Sequence, residues 1–252
     1  MVAIQSGAAR SRSFCRTLLE PIQRRLQTPF KLFELEEPVM PDLSLHEAIF
    51  STRSMRHLKP DPVPQKDLEY IIEAATMAPS AGNLQLWSFV VVTEQALRTR
   101  IAAAYQEAGR VYIRDGVLAD PDTDDDRRRV YTKAMHNVDH LDEAPVIVVA
   151  CLTLPCPDDA AAASGLFGSI YPATQNLMLA ARSKGLGSVL LTLGTDYCPA
   201  GRLEADSVRE VIGLPDEVQA VALIPVGYPR GSWGRPWRDA WQESTHWERW
   251  GG

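Results

Sequence analysis

Cysteine is scarce in this sequence: the chain has four cysteines among 252 residues, and none forms a Cys-x-x-Cys or cysteine–histidine pattern. This content is too low for a disulfide scaffold and gives no zinc pattern, so we expect reduced thiols. The sequence also lacks a run of about 18 to 20 apolar residues, which a membrane-spanning helix needs. We therefore predict a soluble, cytoplasmic protein without a membrane partner.

Glycine-rich nucleotide loops are absent, since the sequence has neither Gly-x-Gly-x-x-Gly after a predicted strand nor Gly-x-x-x-x-Gly-Lys-Ser/Thr. An excess of positive charge is absent too, because 26 Lys and Arg stand against 32 Asp and Glu. Nucleic-acid-binding proteins usually have a basic balance or a basic face. We therefore expect no nucleic-acid partner, and any anionic cofactor would need locally placed arginines.

The aspartate-rich stretch at residues 115–126 is the one segment that suggests a metal site. It contains six aspartates, but their spacing does not match an EF-hand loop. We interpret this stretch as a solvated loop and predict no metal.

The first 43 residues differ in composition from the rest of the chain. Through residue 33 they carry six basic residues and a single acidic one, Glu20, and Pro38 and Pro41 follow. We interpret residues 1–43 as an amino-terminal extension, either a surface arm or an upstream segment, with an Arg- and Ser-rich transit peptide as the alternative. Residues 44–252 are interpreted as one domain.

Within residues 44–252, segments of helical periodicity alternate with short apolar runs typical of strands. Helices are predicted at residues 45–50, 66–77, 94–109, 127–141, 169–184 and 207–212, and strands at residues 88–93, 144–152, 188–192 and 218–226. The alternation predicts a fold that contains both helices and a sheet. The tail at residues 227–252 contains five tryptophans, and so many large apolar rings must pack against another surface.

Arginines cluster at two places. Arg53 and Arg56 are three residues apart with a serine between them, so both guanidinium groups can converge on one phosphate if the backbone is tight. A solvated charge pair is the alternative. Residues 227–230 and 234–238 hold further arginines near the tail, which could supply additional phosphate contacts or remain surface charges.

Polar side chains cluster at residues 78–87, between a predicted helix and a predicted strand. Ser80, Asn83 and Gln85 fall within six residues there. Amide side chains combine donors and acceptors, which matches the N–H and C=O groups on the pyrimidine edge of a flavin. A turn stabilised by serine and asparagine is the alternative interpretation.

Together, and in this order, these segments resemble the FMN-dependent nitroreductase family. The matching segments are Thr52-Arg-Ser-Met-Arg56, Ala78 to Trp87, Gly185-Leu-Gly-Ser188, Ile212-Gly-Leu-Pro215 and Ile224-Pro-Val-Gly-Tyr-Pro229. The chain departs from the family pattern at Thr52, where many members have a first arginine, and at Leu86, which replaces the usual proline. The resemblance implies an α+β fold of three layers, α/β/α, with a mixed sheet, in an intertwined homodimer with FMN at the subunit interface.

The resemblance also implies the site residues. Arg53, Ser54 and Arg56 would contact the FMN phosphate and ribityl chain. Pro79, Ser80, Asn83 and Gln85 would line the flavin, with Pro79 and Ser80 reaching the cofactor held mainly by the other subunit. The backbone of Thr192, Leu193 and Gly194 would approach the isoalloxazine ring, and Arg238, or as a second choice Arg235, would bind the phosphate.

The implied activity is that of an FMN-dependent NAD(P)H oxidoreductase, which reduces a nitroaromatic, a quinone or a similar conjugated electrophile by a ping-pong mechanism. Because the flavin carries the chemistry, no side chain is predicted to be catalytic, and His136, His140 and His246 are interpreted as surface or structural residues. Residues 105–139 are the candidate segment for substrate selection. The alternatives are a reductive dehalogenase or flavin-modifying enzyme, and a non-catalytic protein that holds or sequesters FMN.

Overall fold

The computed structural model describes residues 43–153, 160–196 and 207–251. The predicted amino-terminal extension, residues 1–43, falls almost entirely outside the described residues. That division of the chain stays a prediction.

The described part contains six α-helices, with bounds that the chain sets through local capping. They are α1 (Leu45–Ser51), α2 (Gln65–Thr76), α3 (Gln95–Gly109), α4 (Asp125–His140), α5 (Ala160–Ser183) and α6 (Val208–Ile212). Ser44 and Asp124 accept hydrogen bonds from the backbone N–H groups of the first turns of α1 and α4. Ser207 and Glu210 form a capping box at the start of α6. These polar residues therefore decide where the three helices begin.

Two helical features differ from the prediction. Helix α5 begins at Ala160 and not at residue 169, because the alanine-rich stretch before residue 169 favours a helix without any apolar periodicity. Helix α3 is followed by a π-helical segment, Arg110–Val117. Eight residues are too few for a sequence pattern to separate that geometry from an ordinary helix.

Four strands form one sheet in the described residues, in the order β1-β2-β4-β3. Their bounds are β1 (Trp87–Val92), β2 (Val146–Leu152), β3 (Gly187–Ser188) and β4 (Gln219–Gly227). All three pairings are antiparallel, which agrees with the α+β class, whereas the parallel pair of a mixed sheet does not occur between the described strands. Strand β3 is shorter than predicted and is followed by a single bridge between Leu191 and Leu223.

The central strand β2 shows why the fold has three layers. All seven of its residues are buried, so apolar side chains extend from both of its faces. Val146, Val148, Ala150 and Leu152 pack with helices α2 and α5 in one cluster. Ile147, Val149 and Cys151 pack with α3, α4 and α6 in the other. The predicted α/β/α layering is therefore confirmed.

The tryptophan-rich tail is only partly packed within the chain. Trp233 lies against Met55, Leu58 and Ala144, and the Arg182 guanidinium stands 4.1 Å from the centre of its ring. The other four tryptophans are largely exposed, namely Trp237 (78%), Trp241 (61%), Trp247 (67%) and Trp250 (89%). Within the described residues, the predicted packing of the tail is met by Trp233 alone.

Candidate functional site

The arginine-bearing segment at residues 53–57 is held against the ends of two strands. The Met55 N–H donates to the Ser188 carbonyl at 3.0 Å, and the Arg230 N–H donates to the His57 carbonyl at 2.9 Å. Gly187 allows this approach, since a Cβ atom there would lie 2.8 Å from the Met55 Cβ. The backbone of the segment is thus fixed by β3, β4 and the residues that follow β4.

A pocket of about 580 Å³ opens beside this segment; we call it the cationic pocket. It is lined by Arg53, Ser54, Met55, Arg56, His57, Thr132, Lys133, His136, Arg230 and Gly231. Four of these side chains carry a permanent positive charge, and no lining residue is acidic. An anion is therefore the ligand that this lining favours.

Two of the arginines are positioned by hydrogen bonds to backbone carbonyls. The Arg53 Nη2 donates to the Ser232 carbonyl at 2.9 Å, and the Arg230 Nε donates to the Leu58 carbonyl at 3.0 Å. A guanidinium group has five N–H donors, so each retains donors for a ligand. These bonds orient the charges before any ligand arrives.

Arg56 differs from its neighbours because its Nε is buried and has no hydrogen-bond partner among the described residues. Burial lowers the pKa of Arg56; nearby Tyr105 opposes that shift, and the positive charge of Arg53 adds to it. A buried donor without a partner costs about 1 to 3 kcal/mol. A bound oxyanion would give this group the partner that the protein does not supply.

Three histidines stack beside the cationic pocket. The ring centres of His57 and His136 are 3.7 Å apart, those of His136 and His140 are 4.6 Å apart, and the His140 Nδ1 lies 3.0 Å from the Glu143 carboxylate. Burial lowers the pKa of His136, and His57 and His140 lower it further, against the opposing effect of Glu143 and Asp139. His136 is therefore part of the pocket lining, and it is more than a surface histidine.

The amide cluster at residues 78–87 adopts a strained turn. Gly82, Asn83 and Gln85 have positive φ values of 58°, 53° and 51°, and the Ser80 Oγ accepts a hydrogen bond from the Gln85 N–H at 3.1 Å. Left-handed backbone at non-glycine residues is uncommon and is often found at functional sites. Pro79 and Asn83 are exposed, and the segment does not line the cationic pocket of its own chain.

The Thr192–Gly194 loop packs against helix α3. Gly194 has a φ of 73°, and a Cβ atom there would lie 3.3 Å from the backbone of Tyr105, so the position favours glycine. Leu193 is buried, and the Thr192 carbonyl accepts a hydrogen bond from the Thr195 hydroxyl at 2.6 Å. The loop lies close against α3, and it too lies outside the lining of the cationic pocket.

Arg235 and Arg238, the two tail arginines that the resemblance implies, lie outside the cationic pocket. The Arg235 guanidinium lies 5.5 Å from the centre of the Phe50 ring, and Arg238 is exposed and donates to the Trp237 carbonyl at 2.7 Å. Neither lines the cationic pocket, whereas Arg230 does. Arg230 thus supplies a third guanidinium group to the pocket. Thr52, which stands where many family members have an arginine, supplies none, and its hydroxyl donates to the Ala48 carbonyl at 2.6 Å.

The sequence predicts Arg53, Ser54 and Arg56 as site residues, and all three line the cationic pocket. The lining residues of α4 were not predicted as cofactor contacts, because they fall in residues 105–139, the segment assigned to substrate selection, and His136 was interpreted as a surface or structural histidine. Lys133 and His136 are three residues apart, which places them on one face of a helix. That spacing indicates a shared helix face, but nothing in the sequence shows that this face meets residues 53–57.

The described residues contain no group of three or more His, Cys, Asp or Glu side chains arranged to hold a metal ion. Among the helices described, none is long and apolar enough to cross a membrane.

The nitroreductase family model matches residues 49–228, and the chain belongs to this family. Family membership supports an oxidoreductase as the class of enzyme. The agreement covers the whole sheet and both of its helical layers.

Among curated relatives, an NADH dehydrogenase from Thermus thermophilus is 29% identical over 209 residues, which cover 77% of this chain and 90% of the relative. An iodotyrosine deiodinase from Thermotoga neapolitana is 26% identical over 185 residues, with 73% and 88% covered. A crystal structure of a BluB-like flavoprotein from Clostridium difficile 630 superposes with a TM-score of 0.62 at 23% identity, over 82% of this chain and 100% of that one. This last likeness supports the fold alone.

Proposed function

We propose that the protein is an FMN-dependent NAD(P)H oxidoreductase that reduces nitroaromatics, quinones or similar conjugated electrophiles by a ping-pong mechanism. The observation that carries the proposal is the cationic pocket beside Arg53, Ser54 and Arg56. A phosphomonoester dianion fits it, because the lining has four fixed cations and the buried Arg56 Nε lacks a partner. The Ser54 hydroxyl can add a neutral donor to the same oxygens.

Bound FMN would supply the redox chemistry, by accepting a hydride from NAD(P)H and passing electrons to the acceptor. The chain's own residues hold and orient it. Arg53, Ser54 and Arg56 bind the phosphate end, while the amides of Asn83 and Gln85 bind the pyrimidine edge. The Thr192–Gly194 backbone would support the ring system. Arg238 or Arg235 would add a charge on the phosphate from the tail of a second copy, because neither lines the cationic pocket of its own chain. No side chain acts as a nucleophile.

We propose that the active form is a homodimer. Four tail tryptophans and Leu45 of α1 (72% exposed) present apolar surface to solvent in the single chain, and such surface marks an interaction site. A second copy would cover the tail tryptophans. The exposed Pro79 and the half-buried Ser80 would then reach the cofactor held by the partner, which accounts for their absence from the lining of their own chain's pocket.

Residues 105–139 are the proposed region of substrate selection. They include the end of α3, the π-helical segment Arg110–Val117 and most of α4. π-Helical turns occur frequently at functional sites.

A reductive dehalogenase is the second candidate, and the iodotyrosine deiodinase from Thermotoga neapolitana favours it. A flavin-modifying enzyme and a non-catalytic FMN-binding protein are the further alternatives. Each of these functions would use the cationic pocket for the FMN phosphate, so the pocket does not discriminate between them and the reaction with an acceptor does.

The test begins with the visible absorbance of the purified full-length protein, with FMN added if it is colourless. Anaerobic NADPH or NADH should bleach the flavin, and a nitroaromatic or quinone should restore its colour. Arg53→Gln should weaken FMN binding, whereas Lys66→Gln, an equal charge change on the exposed face of α2, should not. Yellow colour that persists with both donors would indicate a non-catalytic FMN-binding protein. Reoxidation of the reduced flavin by a halotyrosine alone would indicate a dehalogenase. Failure to bind FMN would reject the proposal.

A further inference from the structure

The cationic pocket has two walls from distant parts of the chain. One wall consists of residues 53–57 with Arg230 and Gly231, and the other consists of Thr132, Lys133 and His136 of helix α4. The His57 and His136 rings, one from each wall, meet at 3.7 Å between their centres. A ligand in the pocket is therefore within reach of both walls.

The α4 wall contributes charge that the described protein leaves without a counterion. The ion pairs of the described residues do not include Lys133. Its side chain is exposed, and it lies on the same helix face as His136. The acidic residues near this part of α4, Asp139 and Glu143, stand beside Arg114 and His140, and neither lines the cationic pocket.

We propose that α4 forms the second wall of the phosphate site, in which Lys133 and His136 bind the phosphomonoester of the cofactor together with Arg53 and Arg56, and that His136, which stacks on His57, takes up a proton when the phosphate binds. The inference rests on the proposed function, because it takes FMN as the ligand. It adds Lys133 and His136 of helix α4 to the phosphate site. The resemblance implies no phosphate contact from this helix.

The proton uptake follows from the groups that face His136. In the absence of a ligand, burial, His57 and His140 lower its pKa, with Glu143 and Asp139 opposing, and the cations Arg53, Arg56, Lys133 and Arg230 share the pocket. A dianion placed between these groups raises the pKa of His136 again. A raised pKa in the bound state favours binding at pH values below that pKa, and the benefit is lost as the pH rises through it.

The Lys133 contact is tested by the affinity of the full-length protein for FMN and for riboflavin, measured by quenching of flavin fluorescence. Lys133→Gln should weaken FMN binding about tenfold, as expected for loss of one charge-assisted hydrogen bond. It should leave riboflavin, which lacks the phosphate, unchanged. Lys66→Gln, which removes a charge from the exposed face of α2, should change neither affinity.

The histidine contact is tested by repeating the FMN titrations of the wild type and His136→Gln between pH 6 and pH 8. The phosphate itself titrates near the lower limit, but this effect is common to both proteins and cancels in the ratio of their affinities. His136→Gln should bind about fivefold more weakly at pH 6, and the difference should vanish by pH 8. His246→Gln, in the tail, should follow the wild type at every pH.

The outcomes separate the two proposals. If the wild type binds no FMN, the proposed function fails. If it binds FMN, but Lys133→Gln binds FMN as tightly as the wild type and the His136→Gln ratio is flat with pH, the second wall is rejected while the proposed function stands. Equal losses for FMN and riboflavin in Lys133→Gln would also reject it, because they would show a general disturbance of the fold.

Discussion

At the scale of single residues, the candidate site depends on positions where only one size of side chain fits. Gly187 lies directly beneath Met55, and the Met55 N–H bonds the neighbouring Ser188 carbonyl. A methyl group at residue 187 would push against the segment that carries Arg53 and Arg56. The placement of the two guanidinium groups thus rests on a residue that touches no ligand.

Gly187→Ala should lower the free energy of unfolding by about 1 to 3 kcal/mol, because its Cβ would overlap Met55. Gly234→Ala is the matched control, since nothing lies within 4 Å of a Cβ there, and its effect should stay within about 0.5 kcal/mol. Urea denaturation of both variants and the wild type measures the difference. Equal stability of the two variants would contradict the close approach of residues 55 and 187.

Cys151 is buried in the central strand, and burial raises its pKa to about 12, with Asp196 adding to the shift and Arg209 opposing it. The thiol is therefore protonated at neutral pH and inert towards alkylating reagents. Treatment of the native protein with iodoacetamide at pH 8, followed by peptide mass spectrometry, should leave Cys151 unmodified. Alkylation should become complete in guanidinium chloride, and rapid labelling of the native protein would show that the strand opens.

At the scale of secondary-structure elements, the buried strands and the capped helices could be predicted, since continuous apolar runs and terminal Ser, Asp and Gly residues mark them in the sequence. The short β3 and the π-helical segment Arg110–Val117 could not, because pairing partners and hydrogen-bond register are tertiary properties. The same limit applies to the site. Arg53, Ser54 and Arg56 lie within four residues of the sequence and were predicted, and Arg230 belongs to a cluster that the sequence offered for phosphate contacts. Lys133 and His136 come beside them only because α4 lies against residues 53–57.

Helix α4 carries one wall of the cationic pocket, and its first turn is capped by Asp124, whose carboxylate accepts from the Arg127 N–H at 2.8 Å. Asp124→Ala should lower the free energy of unfolding by about 1 kcal/mol, because that N–H loses its partner. Asp124→Asn keeps an oxygen acceptor at the cap and should cost much less. Thermal unfolding of the two variants provides the comparison, and equal losses would show that the cap does not stabilise the helix.

At the scale of the whole molecule, the single chain leaves an apolar tail without a covering surface. Trp237, Trp241, Trp247 and Trp250 are all more than half exposed, whereas the core on both faces of the sheet is closed. Large apolar rings exposed together mark a surface for interaction with another molecule. The proposed homodimer supplies that surface.

A chain that ends at residue 234 should therefore behave as a monomer under conditions in which the full-length protein is a dimer. Light scattering after size-exclusion chromatography measures both masses. Glu243→Gln, a single neutralisation within the tail, should leave the dimer intact and serves as the control. A full-length protein that is itself monomeric would contradict the proposed assembly.

The backbone bonds from Met55 to Ser188, from Lys59 to Tyr228 and from Arg230 to His57 have a consequence for the kinetics of ligand capture. They fix the main chain around the cationic pocket without help from a ligand, so association needs no folding step and loses little main-chain entropy. The rate of capture is then governed by diffusion and by the attraction between opposite charges. It should fall as the ionic strength of the solution rises.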